Sequence, residues 1–203
     1  MTDSPHDCLR SDPDLGPLVA AHGELALDPA DDLFQRLVVS ICRQQVSMAS
    51  AAATRDRLFA AVEMTPTGVL DADDAVLKDA GLSRQKTRYL NEVAAAFDEH
   101  GYSVDYFEGV ADDAVREALI SITGVGAWTA NMQLLFSLGR EDVFPVGDLG
   151  VRKGFSNVVG DGYSRAEMVE YAERWAPYRS YATLYLWRAE EDIAESVAEV
   201  KGE

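Results

Sequence analysis

Apolar residues recur every three or four positions along almost the whole chain, the spacing that gathers side chains on one face of an α-helix. Leu33, Leu37 and Ile41, followed by Val46, mark one such face, and Leu58, Phe59 and Val62 continue another. Tyr89, Leu90, Val93 and Phe97 form a stripe. Val115, Leu119 and Ile122 form a second, and Met168, Tyr171, Ala172 and Trp175 a third. Capping residues punctuate the pattern. Asp31 or Asp32 opens one helix, Ser83 opens the run to His100, and Asp112 or Asp113 opens another. Ser164 with Glu167 three residues later is a capping box. Breakers fall at Pro66, Gly81, Gly124 to Gly126, Gly139, Gly160 to Gly162 and Pro177. No stretch alternates with period two between hairpin turns, so strands are not expected. The pattern predicts an all-α protein of about nine or ten short helices. Residues 1–14 are polar and predicted to be a flexible N-terminus, with residues 15–203 forming a single folded core.

Composition narrows the class. The 203 residues are 47% hydrophobic and 26% charged, too apolar for a disordered chain and enough for one domain or two small lobes sharing a cleft. Two cysteines, Cys8 and Cys42, cannot supply a disulfide scaffold, a four-cysteine zinc site or a four-cysteine iron–sulfur cluster. No apolar run reaches the ~18 residues that span a bilayer, and Met1 to Pro5 lack the features of a signal peptide. A soluble, cytoplasmic protein with no membrane partner is expected. Charge alters this picture. Acids outnumber bases 35 to 18, for a net charge of −17, and only Lys78, Lys86, Lys153 and Lys201 among the bases are lysine. Acidic groups such as Asp31-Asp32, Asp73-Asp74, Asp112-Asp113 and Glu190-Glu191-Asp192 are spread along the chain. Such a shell repels itself unless salt screens it, over roughly 3 Å at 1 M. It reads as the adaptation of a halophile to a salty cytoplasm, beside the plainer reading of an acidic mesophile protein. Alone, it argues against a nucleic-acid partner.

One segment answers that objection. Glu117 to Met132 reads as helix, tight turn, helix, with Gly124 and Gly126 flanking Val125. A Gly-Val-Gly turn points backbone N–H groups outward with no side chain in the way, and a helix starting near Ala127 aims its positive dipole end the same way. Together they suit a phosphate without needing net positive charge. The same glycines also fit an ordinary turn between two helices.

The flanking residues make the pattern specific. Ile122-Thr-Gly-Val-Gly-Ala-Trp-Thr-Ala130, followed by Asp142-Val-Phe-Pro-Val-Gly-Asp-Leu-Gly-Val-Arg-Lys-Gly154, resembles the helix-hairpin-helix DNA glycosylases. Ser40-Ile-Cys-Arg-Gln-Gln-Val-Ser47, Gly81-Leu-Ser-Arg-Gln-Lys-Thr-Arg-Tyr-Leu90 and Glu173 to Trp187 are similar to the alkylation-repair branch, the 3-methyladenine DNA glycosylase II type. The resemblance covers roughly residues 30–190, in the family's order. It implies a two-lobed helical fold with the active site in the cleft between lobes. The hairpin would span about 113–138 and the catalytic loop about 142–154. It also implies the short, catalytic-core form. The expected activity is monofunctional excision of alkylated purines from double-stranded DNA, in base excision repair, by a monomer that requires no cofactor and carries no iron–sulfur cluster.

The resemblance also assigns residues. Asp148 would be the catalytic carboxylate, stabilising an oxocarbenium-like sugar and orienting water. Read by itself it is equally an N-cap for the next helix, and both roles can hold. Trp128 stands where strand-cutting relatives carry a Schiff-base lysine, so water is the expected attacker. Its ring, with Trp187 and Met132, would line the pocket for a flipped, electron-poor base. Trp175 reads as core. Gln45 matches the residue that wedges into the duplex, or else it bonds the backbone at its helix end. The N–H groups of Gly124, Gly126 and Thr129 would hold DNA phosphate. Arg84 and Lys86 are candidate phosphate contacts, or solvated charges, and Lys153, just after Asp148, is a better-placed candidate phosphate contact. The carbonyls of Ile120, Ile122 and Val125 match those that hold K⁺ or Na⁺ in the family. A non-catalytic helix-hairpin-helix DNA-binding module shares the hairpin but not the Asp148 loop or the aromatics. Within the enzyme class, mismatched uracil/thymine and 8-oxoguanine are alternative substrates.

The acidic surface generates a prediction. Ordinary DNA binders lose affinity with salt at a log–log slope of roughly −0.9 per phosphate neutralised. Contacts through backbone N–H groups release few ions, and salt relieves acid–acid and acid–phosphate repulsion. Activity and folding should both persist, or rise, as KCl goes from tens of millimolar to about 1 M. Base release against KCl, with circular dichroism on the same samples, checks this. A steep fall in activity with the fold intact would contradict it.

Overall fold

The computed structural model describes residues 4–190, which form α-helices and two short 3₁₀ turns, with no strand among the described residues. The chain divides into two compact units. One comprises Ala30–Gln133, and the other the chain up to Pro29 and from Leu134 on. The expectation of a single core thus becomes two units, each with its own apolar interior.

The Ala30–Gln133 unit is built on α3 (Leu33–Arg43), α4 (Met48–Ala61), α5 (Pro66–Asp71), α6 (Asp74–Asp79), α7 (Arg84–His100), α8 (Asp112–Ile120) and the start of α9 (Ala127–Phe136). α7 is its longest helix and packs on α3, α5 and α6. Its stripe of Leu90, Val93, Ala94 and Phe97 is buried, each large apolar side chain stabilising the unit by roughly 1.5–3 kcal/mol. Its ends follow from the sequence. The Ser83 hydroxyl accepts the Lys86 N–H at 3.2 Å, and Gly101 closes it at φ +67°. Asp32 caps α3 in the same way through the Gln35 N–H, at 2.9 Å. At α8 the cap is Ala111, so Asp112 and Asp113 lie inside the first turn, where their charge meets the positive end of the helix.

The second unit contains α1 (Pro5–Arg10), α2 (Gly16–His22), α10 (Leu149–Val158), α11 (Arg165–Ala172) and α12 (Arg179–Arg188). The expected flexible segment 1–14 is, from residue 4 on, an ordered part of this unit. Leu9 and Leu15 are buried, Arg174 pairs with Asp12 at 3.1 Å, and Tyr171 donates its hydroxyl to Asp14. The Tyr185 hydroxyl donates to the Gly23 carbonyl at 2.8 Å. Two buried leucines and a polar clasp outweigh the local polarity that suggests fraying. α5 and α6 are likewise additions to the expected set. Pro66 occupies the first turn of α5, where a missing N–H costs nothing, with Thr65 as the cap.

α10 and α12 approach each other at Gly154. A Cβ there would lie 2.0 Å from the Leu186 carbonyl oxygen, so the two backbones touch. Helix propensity favours alanine over glycine by about 1 kcal/mol, but a backbone oxygen cannot rotate away. Gly154→Ala should therefore destabilise the protein by about 1–3 kcal/mol, the usual cost of overpacking. Urea unfolding reads this as a lower midpoint, and an unchanged or raised midpoint would show that the contact yields freely.

Candidate active site

The hairpin turn lies between Ser121 and Gly126, joining α8 to α9. Gly124 sits at φ +97°, and a Cβ on it would fall 2.3 Å from Cγ of Tyr89, so the position requires glycine twice over. Its carbonyl accepts the Gln44 side-chain N–H at 3.0 Å. Val125 is buried and anchors the turn, its N–H bonding the Ile122 carbonyl at 3.0 Å. Gly126 has open space where a Cβ would be. The turn is thus clamped at Gly124 and Val125 and open at Gly126, where the N–H groups of the first turn of α9 lack intrahelical acceptors. This is a concave, positively polarised end of a helix.

A groove of about 520 Å³ lies against this turn, lined by Gln44, Gln45, Ser83, Lys86, Gly124 and Thr129 among others. Gln45 is exposed and held at φ +57°, beyond the end of α3. Gln44 and Gln45, adjacent in sequence, therefore divide two tasks: Gln44 ties α3 to the hairpin and Gln45 projects. Thr129 is buried. Lys86, a candidate phosphate contact or solvated charge, is half-buried. Its Nζ donates to the Cys42 carbonyl at 2.6 Å, and burial holds its pKa below the usual lysine value. Burial also pushes the Cys42 thiol up to about 11, partly offset by Lys86, Arg55 and Arg43. Arg84 is exposed and lines a different groove, with Asp74, Lys78 and Arg88.

On α9, Trp128 is 40% exposed, one of the few large apolar side chains so presented. Met132, the other expected pocket residue on this helix, is 5% exposed. Ile120 ends α8, where the helix dipole is negative. The Ile122 oxygen already takes the Val125 N–H and has a second lone pair.

In the other unit, the expected loop 142–154 is half loop and half helix. α10 begins at Leu149, and Asp148 is its N-cap, with Oδ1 accepting the Val151 N–H at 2.9 Å. The indole Nε1–H of Trp187 donates to the same oxygen at 2.9 Å. Trp187 is 4% exposed and stacks on Phe136, centroids 5.7 Å apart and planes at 21°. Trp187, expected in the pocket for the base, is thus bonded to the carboxylate expected to be catalytic.

The loop itself is fastened from two sides. Arg179 makes paired bonds to Asp142, at 2.7 and 2.9 Å. The Ser180 hydroxyl accepts the Val143 N–H at 2.9 Å and donates to the Arg140 carbonyl. From the other side, Arg152 donates to the carbonyls of Val146, Gly147 and Asp148 at 2.7–3.1 Å. These positioning residues, with Tyr89 beneath Gly124, escaped the sequence reading. The signals available were the opposite charges at Asp142 and Arg179 and the motif block that ends in Tyr89-Leu90. Lys153, the expected phosphate contact just after Asp148, is paired with Glu190 at 2.8 Å.

Residues 38–177 match the HhH-GPD superfamily of base excision DNA repair proteins, and the chain belongs to that superfamily. It is similar to the DNA-3-methyladenine glycosidase of Bacillus halodurans, whose crystal structure superposes with a TM-score of 0.85 at 34% identity, covering 96% of this chain and 93% of that one. The Schizosaccharomyces pombe 3-methyladenine DNA glycosylase Mag1, solved in complex with abasic DNA, gives a TM-score of 0.79 at 26% identity, with 91% and 95% covered. The DNA-3-methyladenine glycosylase 2 of Escherichia coli K12 is 33% identical over 188 residues, 87% of this chain. The chain spans 64% of the length of that protein and 44% of a Bacillus subtilis relative.

Proposed function

We propose that the protein is a monofunctional DNA glycosylase that excises alkylated purines, of the 3-methyladenine type, from double-stranded DNA. The observation that carries this reading is Asp148. It is a carboxylate at the start of a helix, fixed by two N–H donors, on a loop held from both sides and following a hairpin suited to phosphate. As the bond between C1′ and the base breaks, positive charge grows on the sugar, and a fixed carboxylate stabilises it without reorganising. It also orients water for attack at C1′. The first turn of α9 and the glycine at 126 hold the DNA backbone through N–H groups, and Gln45 fills the space of the flipped nucleotide. Trp128 offers an exposed π-face to an alkylated purine, whose positive charge such a face attracts. The chain acts as a monomer.

The carbonyls of Ile120, Ile122 and Val125 suit a hard monovalent cation such as K⁺ or Na⁺, being oxygen donors at the negative end of α8. When bound, such an ion would add positive charge beside the hairpin. No step of the chemistry is assigned to it.

Two experiments test this reading. Asp148→Asn retains the cap, since asparagine caps as well as aspartate, but removes the charge. Loss of a stabilising group of this kind costs about 3–4 kcal/mol, so release of methylated purines should fall by a factor of at least ~100. Binding to DNA should survive or tighten. Activity within about tenfold of wild type, a loss of only ~1.4 kcal/mol, would remove Asp148 from the chemistry. Separately, borohydride should trap no covalent complex with damaged DNA, because Trp128 occupies the Schiff-base position and Lys153 is paired with Glu190. A trapped adduct at Lys153 would overturn the monofunctional mechanism.

A further inference from the structure

We propose that Trp187 is a positioning residue for Asp148, acting through its indole N–H, and not a wall on which the excised base stacks. The inference rests on the glycosylase reading of Asp148. Three observations carry it. The indole ring is 4% exposed, so it presents almost no surface to a ligand. One of its faces is covered by Phe136, stacked at 5.7 Å. Its single polar atom, Nε1, donates to Asp148 Oδ1 at 2.9 Å.

The chemistry of an indole suits this task. Its N–H is a donor only. It can hold an ionised carboxylate but cannot take a proton from water or from Asp148, so it does not compete with the carboxylate as a base. The Val151 N–H bonds the same oxygen at 2.9 Å. Two donors on one oxygen fix rotation about the Cβ–Cγ bond, and with it the direction in which the second oxygen points. The hold on the indole is itself rigid. α12, which carries Trp187, lies backbone-to-backbone on α10 at Gly154 and Leu186. Ser180 and Arg179, on the same helix, fasten the loop that leads to Asp148. One helix therefore sets both the carboxylate's backbone and its side-chain angle. Misplacement of a reacting group by about 1 Å costs on the order of 10²-fold in rate.

Trp187→Phe keeps an aromatic ring in the same site and removes the donor. The rate of base release in single turnover should fall about tenfold or more, while affinity for abasic-site DNA stays within about twofold of wild type. The loss should be equal for a cationic base such as 7-methylguanine and a neutral one such as hypoxanthine. An unchanged rate, or a loss confined to the cationic base, would overturn the proposal in favour of stacking. Circular dichroism on the same variant reads its fold.

A second measurement needs no activity. The Trp187 indole resonance, identified in ¹H–¹⁵N spectra by its disappearance in Trp187→Phe, should lie downfield in the wild type and move upfield in Asp148→Asn. A resonance unmoved by Asp148→Asn would overturn the proposal. A wild type that releases no base from damaged DNA would instead overturn the glycosylase reading.

Discussion

Oδ1 of Asp148 accepts two hydrogen bonds, one from the Val151 N–H that begins α10 and one from the Trp187 indole. The placement of the proposed reaction depends on that atom. A catalytic carboxylate must be held within about 0.5 Å of its working position, yet it stands in a loop, the kind of segment that is ordinarily mobile. The loop here is loop in name only. Arg179 and Ser180 pin its first half to α12, and Arg152 gathers three successive carbonyls at its end. The Arg152 guanidinium also brings positive charge to a carboxylate-bearing turn without touching the carboxylate through any of these three bonds. The N-cap role of Asp148, which could compete with a catalytic one, is the means by which the side chain is held still.

The acidity of the chain is the second constraint. With a net charge of −17, the protein repels DNA at long range, and screening over about 8 Å at physiological salt only shortens that reach. Attraction must therefore come from close contacts. Two lysines that the sequence offers for this are engaged within the protein, Lys86 on the Cys42 carbonyl and Lys153 on Glu190. On the proposed reading the burden falls to the hairpin, where oriented N–H groups supply a local field without a formal charge. The tight seating of Gly124 over Tyr89 then has a purpose beyond packing: it fixes the direction of the N–H groups at the open end of the turn.

Much of this was legible in the sequence, and what was not has a common cause. α7 runs from Arg84 to His100 with Ser83 as its cap, and α11 opens with the Ser164–Glu167 box, because strong caps and a long apolar stripe are local signals. The Gly-Val-Gly turn is a local signal too, whereas the role expected of Asp148 came from the family resemblance. α1, α5 and α6 have six residues each, too few to display a period, and stand only because Leu9, Val69 and Leu77 are buried by distant parts of the same unit. The direction of a long side chain is equally non-local. Lys86 sits in the first turn of α7, where sequence suggests a solvated charge, and what turns it inward is a carbonyl 44 residues away.

The three tryptophans show the same limit in chemical terms. The sequence reads Trp175 as core and places Trp128 and Trp187 together in the pocket for the base. Trp175 is buried among Phe144, Phe155 and Tyr171, and its indole nitrogen has no hydrogen-bond partner. An unpaired buried donor costs about 1–3 kcal/mol, so the fold tolerates that loss where packing alone is at stake. Trp187 is as deeply buried, but its nitrogen meets a carboxylate. Pairing of a buried indole is thus not automatic in this protein, and at Trp187 it falls on the carboxylate proposed for the chemistry. Trp128, at 40% exposure, retains accessible surface. On the proposed reading, burial and the fate of a single N–H separate Trp187, a positioning residue, from Trp128, a surface for the base, a distinction that residue type and spacing leave undrawn.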